Sequence, residues 1–214
     1  MSVKTDTWAI LAEGIIKKLK ERGMDGAYYP DGGSARKAIL DEIPAGSSVT
    51  WGGSMTIEEI GLADAVRNSE SLEFIDRNKA VTPEERRKLY SEQTLADYFL
   101  MSTNAVTMDG QLVNIDGNGN RVACLIIGPS HVFVVAGMNK VAPDLDSAMK
   151  RARNTASPAN NVRLKKDHPC VKTGRCADCL CEDSICNQFV ITRRNSGGPA
   201  GRIKVFLVGE ELGY

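Results

Sequence analysis

The chain has no excess of either charge: its 214 residues carry 27 Lys plus Arg against 27 Asp plus Glu. That balance removes the overall electrostatic case for a nucleic-acid partner. The basic residues Arg151, Arg153, Arg163, Lys165 and Lys166 are read as a solvated face beside an anionic site rather than as an RNA contact. Long apolar runs are missing as well. Asp6, Glu13, Lys17 and Lys18 interrupt the N-terminal stretch, so neither a secretory signal nor a membrane-spanning segment is expected. The expected location is cytoplasmic, where thiols stay reduced. Neither the Gly-Lys-Ser/Thr ending of a phosphate loop nor a dinucleotide fingerprint occurs. There is a single Cys-x-x-Cys pair, where a zinc ribbon supplies two and a bacterial ferredoxin run supplies a series. Internal repeats and low-complexity segments are absent.

Cysteine is present and concentrated. Five of the six cysteines fall between Cys170 and Cys186. Thiols gathered by local sequence bind zinc, hold an iron–sulfur cluster or form disulfides, and a reducing compartment favours a metal. Four thiolates drawn from an irregular loop suit a [4Fe–4S] cluster, with zinc the alternative. Lys165, Lys166, Lys172 and Arg175 would offset their negative charge. His168, two residues before Cys170, reads as a loop histidine bonded to a backbone carbonyl, with sulfur replacement the sharper alternative. Cys124 is expected to be a small buried thiol within a strand over 122–127, and His131 a partly buried histidine before an apolar strand.

Along the chain, Trp8, Leu11, Ala12, Ile15, Ile16 and Leu19 recur at helical spacing and end near Gly23. That stripe could also serve a homodimer. Further helices are predicted over 34–42, 55–66, from Thr82 to about Thr94, and over 143–155. Thr82, Pro83 and Glu85 form a capping-box start. Strands are predicted over 48–51 and 72–76, then at 98–101, 105–108, 111–115, 122–127 and 132–136, separated by short turn signals such as Asp109-Gly110 and Asn118-Gly119. The first half implies a parallel, helix-covered sheet and the second an antiparallel or mixed meander. Residues 157–187 read as a ligand-organised loop, 195–201 as a flexible turn, and 189–192 and 203–208 as closing strands.

Several stretches taken in order resemble the LUD (lactate-utilisation) domain family: Val49-Thr50-Trp51-Gly52-Gly53-Ser54-Met55-Thr56 through Leu62, Ser102 to Thr107, Leu112 to Gly117, Gly119 to Val122, Gly137-Met138-Asn139-Lys140, and Pro158 to Leu164. The resemblance spans nearly the whole chain. It implies an α/β sandwich around a mostly parallel sheet, like the ribose-phosphate isomerase and CoA-transferase fold. Residues 1–164 and the closing strands 189–214 would form the LUD domain, and 165–188 a cysteine-rich loop. It further implies a link to lactate oxidation alongside an iron–sulfur or oxidoreductase partner. The chain resembles a cysteine-bearing subgroup whose four cysteines match Cys170, Cys176, Cys179 and Cys186, leaving Cys181 outside the ligand set.

The remaining candidates surround the Gly52-Gly53-Ser54 loop, where Ser54 and Thr56 add hydroxyls and glycines allow close approach of an anion. Asn104 and Asn139 join them as ligand-binding candidates. Asp116 and Lys140 could bind an organic acid and handle a proton. Glu59 could be the carboxylate nucleophile of a CoA transferase, or an exposed helix residue. The leading expectation is an accessory or electron-transfer protein of organic-acid oxidation that binds a small organic acid or phosphate. The alternatives are a CoA-transferase-like or sugar-phosphate enzyme with structural zinc, and a metal-sensing or scaffold protein.

Overall fold

A computed structural model describes residues 3–196 and 201–214. In chain order the helices are α1 (Val3–Glu21), α2 (Gly32–Glu42), α3 (Met55–Glu59), α4 (Leu62–Arg67), α5 (Pro83–Leu95), α6 (Asn120–Ile126), α7 (Leu145–Arg151), α8 (Ser157–Arg163) and α9 (Pro169–Thr173). The strands are β1 (Asp25–Tyr29), β2 (Ser48–Trp51), β3 (Glu73–Ile75), β4 (Tyr98–Met101), β5 (Ala105–Thr107), β6 (Leu112–Asp116), β7 (His131–Gly137), β8 (Val141–Ala142), β9 (Gln188–Thr192) and β10 (Ile203–Val208).

A six-stranded sheet in the order β1-β10-β7-β4-β2-β3 forms the centre, and every pair in it is parallel. Its central strands β4, β7 and β10 are buried almost throughout, as strands covered on two faces require. Val132, Val134, Val205 and Leu207 join Ala12, Ile15 and Leu19 of α1 in one core. Phe133, Val135, Phe206 and Val208 join Ile39 of α2, Ile57 of α3 and Val66 of α4 in the other. Ala12, Ile15 and Leu19 of the α1 stripe are thus buried against its own sheet, with Trp8, Leu11 and Ile16 partly buried beside them. A four-stranded sheet, β8-β5-β6-β9, lies beside the first and packs Val113, Ile115 and Ala142 on Ala148 and Ala152.

The expected meander is therefore divided between two sheets. β4 and β7 are parallel neighbours in the large one, whereas β5 and β6 pair antiparallel in the small one. The turn at Asp109-Gly110 joins that hairpin, with Gly110 at φ 83. Residues 122–126 are helical, not a strand, and only Ile127 is extended: Gly119 turns the chain at φ 80, and Val122 and Leu125 fall on one buried side. A short apolar run carries both periodicities, and tertiary packing decides between them. Asn118-Gly119 accordingly opens a helix rather than joining two strands. The helix expected over 55–66 breaks at Gly61, which takes φ 69. The one over 143–155 continues past its expected end through a π turn (Ala152–Ala156) into α8. The cysteine segment includes the short α9. The capping box forms, with Thr82 accepting from Glu85 N–H and Glu85 from Thr82 N–H. Residues 197–200 of the expected turn lie outside the described residues.

Candidate functional site

From β2 the chain passes outward to its neighbour β3, whereas from β4 it passes inward to β7. Their carboxyl ends therefore diverge, and in open α/β sheets ligands bind in such a crevice. A cleft of about 750 Å³ opens there, lined by Trp51, Gly53, Thr56, Ser102, Asp116 and Lys140 among others.

Lys140, just after β7, lies at the cleft floor and is 4% exposed. Its Nζ donates to Thr56 Oγ1 at 2.8 Å and to Ser102 Oγ at 2.9 Å. Glu59, the acid that acts on it electrostatically, makes no ion pair with it and instead accepts from Gly213 N–H. Burial, reinforced by the charges of Arg151 and Arg121, pulls its ammonium down to a pKa of about 7. Thr56 is placed by the first turn of α3 and Ser102 by the end of β4, so three segments converge on one amine.

Arg121 enters from α6 with its side chain 14% exposed. It donates to Asp116 Oδ2 at 3.2 Å, Ser102 O at 2.9 Å, Asn114 Oδ1 at 2.6 Å, Asn104 Oδ1 at 3.2 Å and Ile115 O at 2.8 Å. Such a guanidinium is committed to the wall and has little left for a ligand. Its stem also explains Gly52, since a Cβ there would meet Arg121 Cγ at 3.0 Å. Gly53 takes φ 70, and a Cβ would come within 2.8 Å of Arg77 Nη1. Arg77 lines the same cleft and spends one N–H on Gly52 O at 2.6 Å. The buried indole N–H of Trp51 has no acceptor among the described residues.

The cysteine segment forms the opposite wall, where Glu182, Asp183, Ser184 and Ile185 face Arg163 and Lys166. Burial raises the Cys170 and Cys186 thiols, and each is raised further by Cys176 and Cys179. Cys181 shares a hydrogen bond with Cys179, which raises it too. All five thiols are thus electrostatic neighbours. Cys176 Sγ accepts from Asp178 N–H and from Arg153 Nη2, both at 3.4 Å. Backbone and guanidinium donors around sulfur suit a thiolate that carries charge, so the donor chemistry fits a thiolate-bound metal or cluster. As the side chains stand, no group of three or more His, Cys, Asp or Glu among the described residues is close enough to hold a metal ion.

The sequence matches the family described as LUD domain over residues 12–208. The chain belongs to the LUD domain family. Among solved structures, this LUD chain is similar to a DUF162 family protein from Deinococcus radiodurans, with a TM-score of 0.55 and 13% identity, over 94% of this chain and 98% of that one. That likeness carries the fold. eIF2B delta from Chaetomium thermophilum matches at a TM-score of 0.38 and 14% identity, over 67% of this chain and 57% of that one. No curated protein matches. No helix among the described residues is long and apolar enough to cross a membrane.

Within the LUD fold, Gly52, Gly53, Ser54, Thr56, Asn104, Asp116 and Lys140 all line the one cleft. Asn104 and Asp116 face it with side chains already engaged: Asn104 Oδ1 accepts from Ile115 N–H at 2.8 Å, and Asp116 Oδ1 from Gly119 N–H at 2.8 Å. Glu59 and Asn139 stand apart from the cleft lining and hold the C-terminal segment. Glu59 Oε2 accepts from Gly213 N–H at 2.6 Å, and Asn139 Oδ1 from Leu212 N–H at 3.1 Å. His168 is buried, with Nδ1 2.8 Å from Asn161 Oδ1 and Nε2 2.7 Å from Asp183 Oδ1. Its partners are side chains, not the expected backbone carbonyl. Cys124 is buried as expected, though in a helix, and its thiol is pushed up to about 11 by burial.

Sequence reasoning gave no role to Arg121, Ser102 or Arg77. Arg121 follows a turn and stands five residues after Asp116, a spacing that has no meaning until the strand–turn–helix path is known. The basic residues near the cysteines divide by function. Arg163 and Lys166 line the cleft, Arg151 braces its floor by donating to Asn139 O at 3.0 Å, and Arg153 turns to the sulfurs.

Proposed function

We propose that this LUD protein binds a small organic acid in the crevice between β2 and β4 and acts in organic-acid oxidation, with lactate or its oxo acid as the substrate class. The supporting observation is Lys140: a buried ammonium with no carboxylate paired to it, on the floor of a cleft. A buried cation either sheds its proton or gains an anionic partner, and a ligand carboxylate would supply one. Arg77 and the unpartnered Trp51 indole N–H line the same space. Thermal unfolding of the purified chain with added lactate, pyruvate, inorganic phosphate, CoA or a sugar phosphate tests this reading. The expected result is stabilisation by lactate or pyruvate that Lys140→Met abolishes. Stabilisation by CoA or the sugar phosphate alone would replace it with the transferase or isomerase type of enzyme.

The cysteine segment supports an electron-transfer role within the same proposal. Cys170, Cys176, Cys179 and Cys186 would hold a [4Fe–4S] cluster, which when bound supplies one-electron transfer to an oxidoreductase or iron–sulfur partner. The observation in its favour is that these four thiols feel one another's charge and that the same segment, through Glu182 to Ile185, lines the cleft. Cys181 belongs to the same neighbourhood, so Cys181→Ser is the natural comparison for the set. Iron, sulfide and zinc analysis of protein purified without oxygen tests the cluster. Iron and sulfide in near-stoichiometric cubane amounts are expected. One zinc per chain without colour would end the electron-transfer reading and leave a structural metal.

A further inference from the structure

We propose that Lys140 is a nucleophile that condenses with the carbonyl of a small oxo acid, forming a Schiff base in the crevice between β2 and β4. This rests on the small-acid reading above and goes further by naming a covalent step and the residue that makes it.

Three features of the geometry carry the inference. First, the amine is held by hydroxyls and not by a carboxylate, with Thr56 Oγ1 at 2.8 Å and Ser102 Oγ at 2.9 Å. A hydroxyl can accept from an ammonium or donate to a neutral amine, so the same two contacts serve both protonation states. An ion pair would lock the charged form. Second, the charged groups acting on Nζ from the elements around it are Arg151 on α7, Arg121 on α6 and Glu59 on α3. Both guanidinium groups oppose a positive charge, and Glu59 is turned to the Gly213 N–H. Third, the segment lying against Nζ is bare. A Cβ on Gly213, which takes φ 57, would stand 3.2 Å from Nζ and 2.6 Å from Thr56 Oγ1. Glycine leaves room there for the reacting carbon's substituents.

The electrostatics agree with this arrangement. Burial and the two arginines bring the amine down to a pKa of about 7, so a large fraction is neutral at physiological pH. The step is balanced without any oxidant. The neutral amine adds to the carbonyl carbon and the C=O π bond opens. Both amine hydrogens leave with the carbonyl oxygen as water, and a C=N bond remains, which gains one proton to become the iminium. The substrate class follows from the surroundings: a carbonyl for the amine, and an adjacent carboxylate for Arg77, whose guanidinium spends one N–H on Gly52 O.

The experiment treats the full chain with pyruvate, glyceraldehyde 3-phosphate or acetone in the presence of cyanoborohydride, followed by intact-mass measurement and peptide mapping. The expected result with pyruvate is a single adduct, equal in mass to pyruvic acid less one oxygen atom, mapped to Lys140. Acetone, which lacks an anionic group, should give only background. The trapping rate should be half-maximal near pH 7, following the amine's pKa of about 7. Adducts scattered over surface lysines with Lys140 unmodified would overturn the proposal, and so would a Lys140 rate still rising steeply above pH 9. Trapping by glyceraldehyde 3-phosphate but not pyruvate would overturn the oxo-acid class. Lactate, which has a hydroxyl where an oxo acid has its keto group and so cannot form a Schiff base, separates the two readings in a parallel thermal shift. If lactate stabilises the chain and no probe traps Lys140, the Schiff base falls and the small-acid site stands. If neither occurs, both fall. Because the site is mapped in the wild-type chain, the result does not depend on how well Lys140→Met folds.

Discussion

Lys140 donates to the Ser102 hydroxyl across 2.9 Å, tying the end of β7 to the end of β4 through a side chain that has no acid partner. The consequence is a pH-dependent stability whose sign is fixed. In the unfolded chain the amine keeps its proton up to about 10.5, whereas in the fold it releases it near 7. Between those values the unfolded state binds more protons, so stability rises with pH; below about 7 the full penalty is present. At about 1.4 kcal/mol per pH unit, the span from 10.5 to about 7 is on the order of 5 kcal/mol. Urea unfolding of wild type and Lys140→Met across pH 6–10 measures it. The wild type should gain on the variant as pH rises, and a constant difference would contradict the assignment.

Arg121 is expected to be among the least replaceable side chains of the cleft. Arg121→Met leaves Asp116, Asn104 and Asn114 without their shared donor and should cost about 3–5 kcal/mol. Arg121→Lys should recover only part of this, because an ammonium cannot reach five acceptors at once. A shift in urea midpoint with an unchanged slope would show that stability, not compactness, has moved.

Gly53 offers a controlled test of the loop. Gly53→Ala places a Cβ in left-handed backbone, at a cost of about 1–2 kcal/mol, and pushes against Arg77. Gly46→Ala meets the same backbone cost at φ 83, with nothing within 4 Å of the added carbon. Both variants should lose similar stability, and only Gly53→Ala should weaken lactate or pyruvate binding in a thermal-shift titration.

The wall formed by the cysteine segment should loosen in acid. Asp183 is held down to a pKa of about 2 by hydrogen bonds from Lys166 and then His168. A lowered carboxylate pKa contributes stability above the ordinary value of 3.8 that is lost as pH falls towards about 2. Hydrogen exchange over residues 182–187 should therefore quicken between pH 4 and 2 relative to the rest of the chain. Asp183→Asn should remove that relative change.

What the sequence made legible was largely local. The α1 stripe, the capping box at Thr82 and the apolar strands have short-range signatures that packing preserved, as did the Asp109-Gly110 turn. The family resemblance added the fold and pointed to the glycine loop, and Lys140 indeed meets Thr56 there. The Arg121 network was not legible. It depends on residues 120–126 being helical, and a run such as Val122 to Ile127 satisfies strand and helix patterns equally until α5 and the sheet choose. The roles of Glu59 and Asn139 were hidden for another reason: both bind a segment some seventy or more positions away, and no local pattern announces such a partner.

The position of β10 also has a kinetic meaning. It lies between β1 and β7, so Asp25 pairs with Lys204 across nearly the whole chain. Until residues 203–208 arrive, β1 has no neighbour in the sheet, and the edge of β7 that β10 covers stays open. Both hydrophobic cores also lack the side chains that β10 supplies, Val205 and Leu207 on one side and Phe206 and Val208 on the other. Non-local pairing of this kind makes folding slow, and an uncovered strand edge invites association with other chains. During synthesis the nascent chain therefore carries an open β edge until β10 leaves the ribosome, and that interval is when it is most open to association with other chains.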